Sequence, residues 1–244
     1  MWLTSLQVDG EGTWLHLQGE AAFGYCRQEC PTTEASAEGA CPHRVRAGGL
    51  SSQLMPQDLA YPEECAARHA GTHKKVLFLG NSYTGGNNLK NIVADIARGA
   101  GFYAEVSASS PGGKTLTWHA ANSLDLIRDR DWDAVVLQDQ SQRPSFGSSY
   151  VFNNILPDTV TLVQAMRAAN PCTVPIFYQT WGKRDGDTNN CQNGATSLCT
   201  FEGIQDQLTE SYNTFAYVNQ PAKVAPAGEA WRTYSDRNSL FGGE

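Results

Sequence analysis

From Lys74 onward, apolar and polar positions alternate in a regular way. Short apolar runs fall at 75–79, around 103–107, at 133–138 (DAVVLQ), at 174–179 (VPIFYQ) and at 222–226 (AKVAP). Runs of this length predict strands. Segments of helical character lie between them, at 88–100, 117–129, 150–169 and 202–217, with Pro157 where a helix start or a kink tolerates it. Strands alternating with helices predict βαβ units and a parallel sheet covered on both faces. Right-handed crossovers then give an α/β fold: a three-layer α/β/α sandwich around a parallel, flavodoxin-like sheet of about five strands. Residues 1–72 differ. They are poor in periodic pattern and rich in Glu, Ala, Gly, Pro and Cys, which predicts a loop-rich, Cys-containing extension ahead of an α/β domain spanning 73–244. No internal repeat is visible.

In a parallel sheet the carboxyl ends of all strands share one edge, so the residues just after each strand converge on one crevice. After the first run comes Gly80-Asn81-Ser82, which presents a hydroxyl there. After the second comes SASSPGGKTLTWH, with Gly112 and Gly113 leading into a helix. After the third comes QDQS, which brings the carboxamides of Gln138 and Gln140 to the same place. A nucleophile, a glycine N–H and a carboxamide donor are what acyl transfer requires: one group to attack a carbonyl, others to hold the oxyanion. Each element alone has an ordinary explanation, as a helix cap, a turn or a backbone partner. Their order and shared location point to chemistry. A phosphate-binding loop is the weaker reading, since GNSYTGGNNLK lacks the G-x-x-x-x-G-K-[ST] pattern.

The stretches VLFLGNSYT (76–84), PGGKTLTWH (111–119) and DAVVLQDQS (133–141) resemble the successive blocks of the SGNH (GDSL-like) hydrolase superfamily. More narrowly they resemble a branch reading G-N-S-[YF]-T, G-G-x-[TS]-L-x-x-H and V-V-L-Q-x-Q-S. Downstream, YQTWGKRDGD, NCQNGATSLCTFEGIQDQL and VAPAGEAWR are similar to that branch, so the likeness covers about Lys74 to Trp231. It implies that Ser82 is the nucleophile of a serine ester hydrolase. The oxyanion hole would be the Ser82 N–H, the Gly113 N–H and the side chain of Gln140, which stands where most of the superfamily has Asn. It also implies an acyl-enzyme, a small acyl group such as acetyl on a carbohydrate as substrate, and neither metal nor organic cofactor. Tyr83, His119, Trp181 and Asp185 are pocket candidates, each with a packing or turn role as the alternative; Trp231 reads as a core or rim aromatic. From a different functional class, the rival is a catalytically inactive module of this fold that binds a glycan or an acyl group.

The superfamily takes its base from an Asp-x-x-His after the last strand, and this sequence reaches Glu244 without one. The five histidines are His16, His43, His69, His73 and His119, all upstream. For His119 three readings stand open: a helix residue of the surface or core, a hydrogen-bond partner behind the site, or a substitute base. The expectation is that the chain is truncated at its C-terminus, before the Asp/His block.

Composition narrows the partners. A net charge of −7, from 18 Lys+Arg against 25 Asp+Glu, leaves no basic stripe for nucleic acid. No run of about 18 apolar residues predicts a membrane span. The first twenty residues lack the basic end and apolar stretch of a leader, which alone points to the cytosol. Cysteine usage points the other way. Cys26, Cys30, Cys41 and Cys65 crowd the first quarter, and Cys191 and Cys199 bracket a polar loop. These spacings lack the paired knuckles of a zinc site. Disulfides are the better reading, and they imply a secreted or otherwise extracytosolic protein. Cys172 is left over, expected either as a buried thiol or as one whose partner lies in a lost segment. Nothing in the sequence sets the oligomeric state.

Overall fold

The computed structural model describes residues 2–9, 12–18, 61–192 and 195–238, with side chains for 61–192 and 195–234. It divides into two compact units, Met1–Met55 and Pro56–Glu244. In the first, β1 (Trp2–Asp9) and β2 (Gly12–Gln18) pair as an antiparallel hairpin, with a register irregularity between Leu3 and Ser5. Cys26, Cys30, Cys41 and His43 lie outside the described residues.

The second unit runs α1 (Cys65–Ala70), β3 (His73–Leu79), α2 (Ser82–Gly85), α3 (Leu89–Gly99), β4 (Tyr103–Ser109), α4 (Leu116–Asn122) and α5 (Leu124–Arg128). It continues with β5 (Ala134–Leu137), α6 (Ser148–Asn154), α7 (Leu156–Ala169), β6 (Val174–Tyr178), α8 (Thr188–Gln192), α9 (Phe201–Val218), β7 (Lys223–Ala225) and α10 (Ala227–Asn238). Five parallel strands form one sheet in the order β4-β3-β5-β6-β7, with helices on both faces. Counted along the sheet domain this is the 2-1-3-4-5 order of flavodoxin-like folds. The predicted strands fall within one or two residues of the observed ones.

Burial explains why these runs were legible. Leu77, Phe78 and Leu79 of β3 and Val135, Val136 and Leu137 of β5 are all buried. Central parallel strands covered on both faces read as unbroken apolar runs. β4 and β7 are edge strands, partly exposed, and their patterns are correspondingly fainter. Two predicted helices are each two helices. The 117–129 segment breaks at Ser123, and the 150–169 segment breaks at Ile155, with Pro157 in the first turn of α7. A proline there forfeits no intrahelical hydrogen bond, whereas mid-helix it would. α10 was not predicted. Its sequence, AGEAWRTYSDRN, is too polar to show an apolar stripe, and α10 is held instead by the Arg232–Asp206 ion pair and by Glu229, which accepts from Thr209.

The register brings the strand ends level. Leu79 lies opposite both Ser109 and Leu137, and Leu137 opposite Phe177. The segments that follow β3, β4 and β5 therefore start at one height on the carboxyl edge. At the opposite edge, Cys172 is not a lone thiol: it forms a disulfide with Cys65, 107 residues away. The expectation of a partner lost with a C-terminal segment is thereby corrected. That pairing was hidden because the two residues meet only after β6 has been placed beside β5. Around the bond, Arg68 pairs with Asp131 and Asp133, Lys74 donates to the Arg68 and His69 carbonyls, and Tyr61 donates to the Pro221 carbonyl. A second disulfide joins Cys191 to Cys199. Among the described residues no helix is long and apolar enough to cross a membrane.

Because the Cys65–Cys172 bond closes so long a loop, replacing both residues by alanine should cost about 2–5 kcal/mol. A urea titration reads this as a lowered midpoint. An unchanged midpoint would mean that the bond restrains nothing.

Candidate active site

The chain leaves β3 through Gly80, where crowding demands glycine. A Cβ there would stand 2.2 Å from Thr84 Oγ1 and 2.7 Å from Gln138 Oε1. The next residue, Asn81, is buried and caps α2: its Oδ1 accepts from the Tyr83 N–H at 3.1 Å. Its Nδ2 donates to the Lys114 carbonyl at 2.9 Å and, more weakly, to the Asp139 carbonyl at 3.4 Å. Its backbone N–H donates to Gln138 Oε1 at 3.1 Å, which also accepts from Thr84 Oγ1 at 2.7 Å. Asn81 thus ties the segments after β3, β4 and β5 together. On the surface of that clamp lies Ser82, exposed at the start of α2, whose hydroxyl makes no hydrogen bond among the described residues.

The other two sequence candidates sit on the clamped segments. Gly113 has φ +68° with open space beside it, so conformation and not crowding favours glycine. The chain then enters α4 through Thr115, which accepts from the Trp118 N–H at 3.1 Å. Gln140 is half-buried. Its Oε1 accepts from the backbone N–H groups of Gln142 and Arg143 at 2.9 and 3.2 Å. That fixes the orientation of the amide and leaves Nε2 with only long contacts, to Ser141 Oγ at 3.4 Å and Gln142 Oε1 at 3.5 Å. A fixed donor with weak partners is suited to an incoming oxyanion.

Asp139, between the two glutamines, was passed over in the sequence. It is fully buried; its Oδ1 accepts the Leu116 N–H at 2.8 Å, and both oxygens accept from Arg143 Nη1, at 3.0 and 3.1 Å. Burial pushes the Asp139 carboxyl up from its ordinary value, while Arg143 and the Leu116 and Gln140 N–H groups favour the anion. Arg143 in turn donates to the Tyr150 hydroxyl and the Asn154 carbonyl. A buried pair of this kind holds the β5 exit against α4 and α6, and removing one partner alone would strand the other.

His119 is fully buried and points at the back of the 80–82 loop. The Gly80 carbonyl, 2.8 Å from Nε2, can only accept, so Nε2 carries the proton and Nδ1 accepts from the Ser123 hydroxyl at 2.8 Å. Burial lowers its pKa, opposed by the bond to Gly80. With both nitrogens engaged, His119 is a support for Gly80 and not a group at the Ser82 hydroxyl. His69 bonds the Cys172 carbonyl, and His73 begins β3; both belong to the opposite edge of the sheet.

Tyr83 and Trp181 are brought together, stacked with centroids 4.9 Å apart and planes 15° apart. They line a small cleft with Ser141, Gln142, Lys183 and Asp187. Asp185 is not in it. That carboxylate is exposed beside Arg184, and the cleft carboxylate is Asp187, two residues on. Burial alone would raise the Asp187 pKa, but hydrogen bonds from Asn190 and Lys183 leave it lowered. It also accepts from Gln142 Nε2 at 2.7 Å. Gly186 turns the loop at φ +77°, where a Cβ would meet the Cys199 carbonyl oxygen at 2.3 Å, and the Cys191–Cys199 bond closes it. Among the described residues no cluster of His, Cys, Asp and Glu is arranged to hold a metal.

Two outcomes follow from this geometry. Asn81→Asp sets a carboxylate oxygen against the Lys114 and Asp139 carbonyls and should destabilise the fold by about 1–3 kcal/mol, read in urea unfolding; an unaltered midpoint would remove the clamp from consideration. His119, with its folded pKa below the ordinary 6.5, contributes stability that is complete above about pH 6.5 and is lost as pH falls toward the folded value. Urea midpoints between pH 7.5 and 5 should therefore fall less steeply in His119→Gln, and parallel curves would contradict the assignment.

No protein-family model matches the chain, and no curated protein matches it. Among solved structures it is similar to a DUF4886 family protein from Bacteroides uniformis, with TM-score 0.53 and 17% identity over 66% of this chain and 69% of that one. It is also similar to the acetyl xylan esterase AlAXEase, with TM-score 0.50 and 16% identity over 68% of this chain and 83% of that one. AlinE4, an SGNH-hydrolase family esterase, aligns at TM-score 0.45 and 15% identity over 71% of this chain and 85% of that one. At such identities the likeness to the first two is one of fold alone.

Proposed function

We propose that this protein is an esterase-type hydrolase working through an acyl-enzyme on Ser82, on a small acyl group such as acetyl carried by a carbohydrate. The observation that carries the reading is the convergence of an exposed serine, the Gly113 turn and the oriented Gln140 amide on one clamped strand edge. A fold similar to that of an acetyl xylan esterase supports it. Two disulfides among the described residues fit a location outside the cytosol.

In this mechanism Ser82 Oγ attacks the ester carbonyl carbon. Charge develops on the carbonyl oxygen, where the N–H groups of Ser82 and Gly113 and Nε2 of Gln140 receive it. The alcohol leaves with a proton, and water then releases the acid. Both steps need a base within about 3 Å of the reacting oxygen. None of His69, His73 and His119 fills that role: the first two stand at the opposite edge of the sheet, and both ring nitrogens of His119 are engaged. In the SGNH hydrolases that the sequence resembles, the base comes from an Asp-x-x-His block after the last strand; among the described residues no histidine stands in that place.

A second reading rests on one observation: the Ser82 hydroxyl lacks a partner among the described residues. In that reading the crevice binds a glycan or acyl group without cleaving it. The 244-residue chain should turn over nitrophenyl acetate about 10⁴- to 10⁶-fold below a complete serine hydrolase. Added imidazole, acting as an external base, should raise its rate above that of Ser82→Ala, and peptide mass analysis should find the acetyl group on Ser82. Equal rates for the two proteins at every imidazole concentration would discard the nucleophile and leave the binding module.

A further inference from the structure

Tyr83 and Trp181 stack face on face, so each covers the other's inner face and both line the cleft beside Ser82. The pair is held from both ends. The Tyr83 N–H donates to Asn81 Oδ1 at 3.1 Å, and Gly182, next to Trp181, donates its N–H to Gln205 Oε1 at 3.0 Å. A Cβ at Gly182 would stand 2.9 Å from the Phe201 carbonyl oxygen, so the chain beside Trp181 is pressed against α9. The cleft adjoins the chemistry through chain neighbours: Tyr83 follows Ser82, and Ser141 follows Gln140. Of the side chains that line it, Ile204 alone is aliphatic, and Lys183 Nζ pairs with Asp187 there at 3.2 Å. Toward β4, on the other side of β3, the rim is different. Gly85 packs against Ser110, and Gly85, Gly86, Asn87, Asn88, Gly112 and Gly113 are all exposed and carry no ring.

We propose that this cleft takes the acyl group of the ester, that the Tyr83–Trp181 pair limits that group to two or three carbons, and that the alcohol lies over the open rim toward β4. The proposal rests on the esterase reading of Ser82 and deepens it. An ester carbonyl carries two arms, and they diverge from the carbon that Ser82 attacks. A large polyhydroxy alcohol needs an open surface rich in hydrogen-bonding groups, which the glycines and asparagines toward β4 supply. The closed side is left for the acyl arm. A methyl or ethyl group fits against the ring edges and Ile204. A longer chain must either part the stacked rings or lie on the Lys183–Asp187 pair, where it removes water and returns no hydrogen bond. Long acyl chains take an enclosed apolar channel, and this cleft also carries Ser141, Gln142 and Ser145. Tyr83 and Trp181 thus determine specificity and take no part in the proton transfers.

Nitrophenyl esters of acetate, butyrate and hexanoate test the limit with the alcohol held constant. With imidazole added, the rate in excess of Ser82→Ala should fall at least about tenfold from acetate to hexanoate. Trp181→Ala should bring the hexanoate rate to within about threefold of the acetate rate. Tyr83→Ala opens the same wall from α2 and should do likewise, which covers the case in which one variant fails to fold. Binding is read apart from turnover in Ser82→Ala, from the indole N–H signal of Trp181 in NMR spectra, assigned by its absence from Trp181→Phe. Ethyl acetate should shift that signal, and ethyl hexanoate at the same concentration should not. If no ester gives a rate above that of Ser82→Ala, the esterase reading falls, and these shifts alone decide what the cleft admits. The proposal is overturned by a rate independent of acyl length, by a preference that survives both alanine variants, or by shifts from both esters or from neither.

Discussion

Asn81 uses every polar group it has. Its N–H donates to Gln138, its carbonyl accepts from Thr84 and Gly85, its Oδ1 caps α2 and its Nδ2 spans to the Lys114 and Asp139 carbonyls. In a buried position, each of those groups would be costly if left unpaired. Satisfying them all is possible only when the segments after three different strands are at one height, which the parallel register provides. The exposed serine therefore rests on a base whose geometry is over-determined, and its N–H, the Gly113 turn and the Gln140 amide inherit that rigidity.

The two edges of the sheet have divided roles. The amino edge is locked by the Cys65–Cys172 bond, the Arg68 ion pairs and the contacts of Tyr61 and Lys74. At the carboxyl edge hydrogen bonds hold the polar groups, while Ser82 stays exposed and Gln140 Nε2 keeps only long contacts. This fits the position of the serine. In the 2-1-3-4-5 order the crossovers from β3 and toward β5 go to opposite sides, and the crevice between them is where such sheets bind ligands.

Behind the crevice the buried polar groups support it without entering it. His119 steadies the Gly80 carbonyl, and burial lowers its pKa. Asp139 and Arg143 join the Gln140 loop to the start of α4, so the Gly113 and Gln140 segments are held to one another. The same logic holds at the other end of the cleft, where Asp187, held by Asn190, Lys183 and Gln142, fixes the loop that carries Trp181.

Much of this was legible in the amino-acid sequence. Central parallel strands are buried on both faces, so 75–79, 133–138 and 174–179 announce themselves as apolar runs, and the residues just after them are the crevice by topology alone. Ser82, Gly113 and Gln140 could be named as candidates on that ground, and the structure sets their segments side by side. Contacts between residues far apart in the chain could not. Cys172 finds Cys65 only because β6 lies beside β5, and Asp187 replaces Asp185 in the cleft because Gly186 turns the chain between them. α10 has too little apolar periodicity to declare itself, and the stacking of Tyr83 on Trp181 joins two segments almost a hundred residues apart. Periodicity reports which face a residue buries, and so by itself the sequence determined the layers of the fold and the edge on which the candidate residues stand. Which side chains meet across that edge depends on register and crossing of distant elements, and only the tertiary structure decided it.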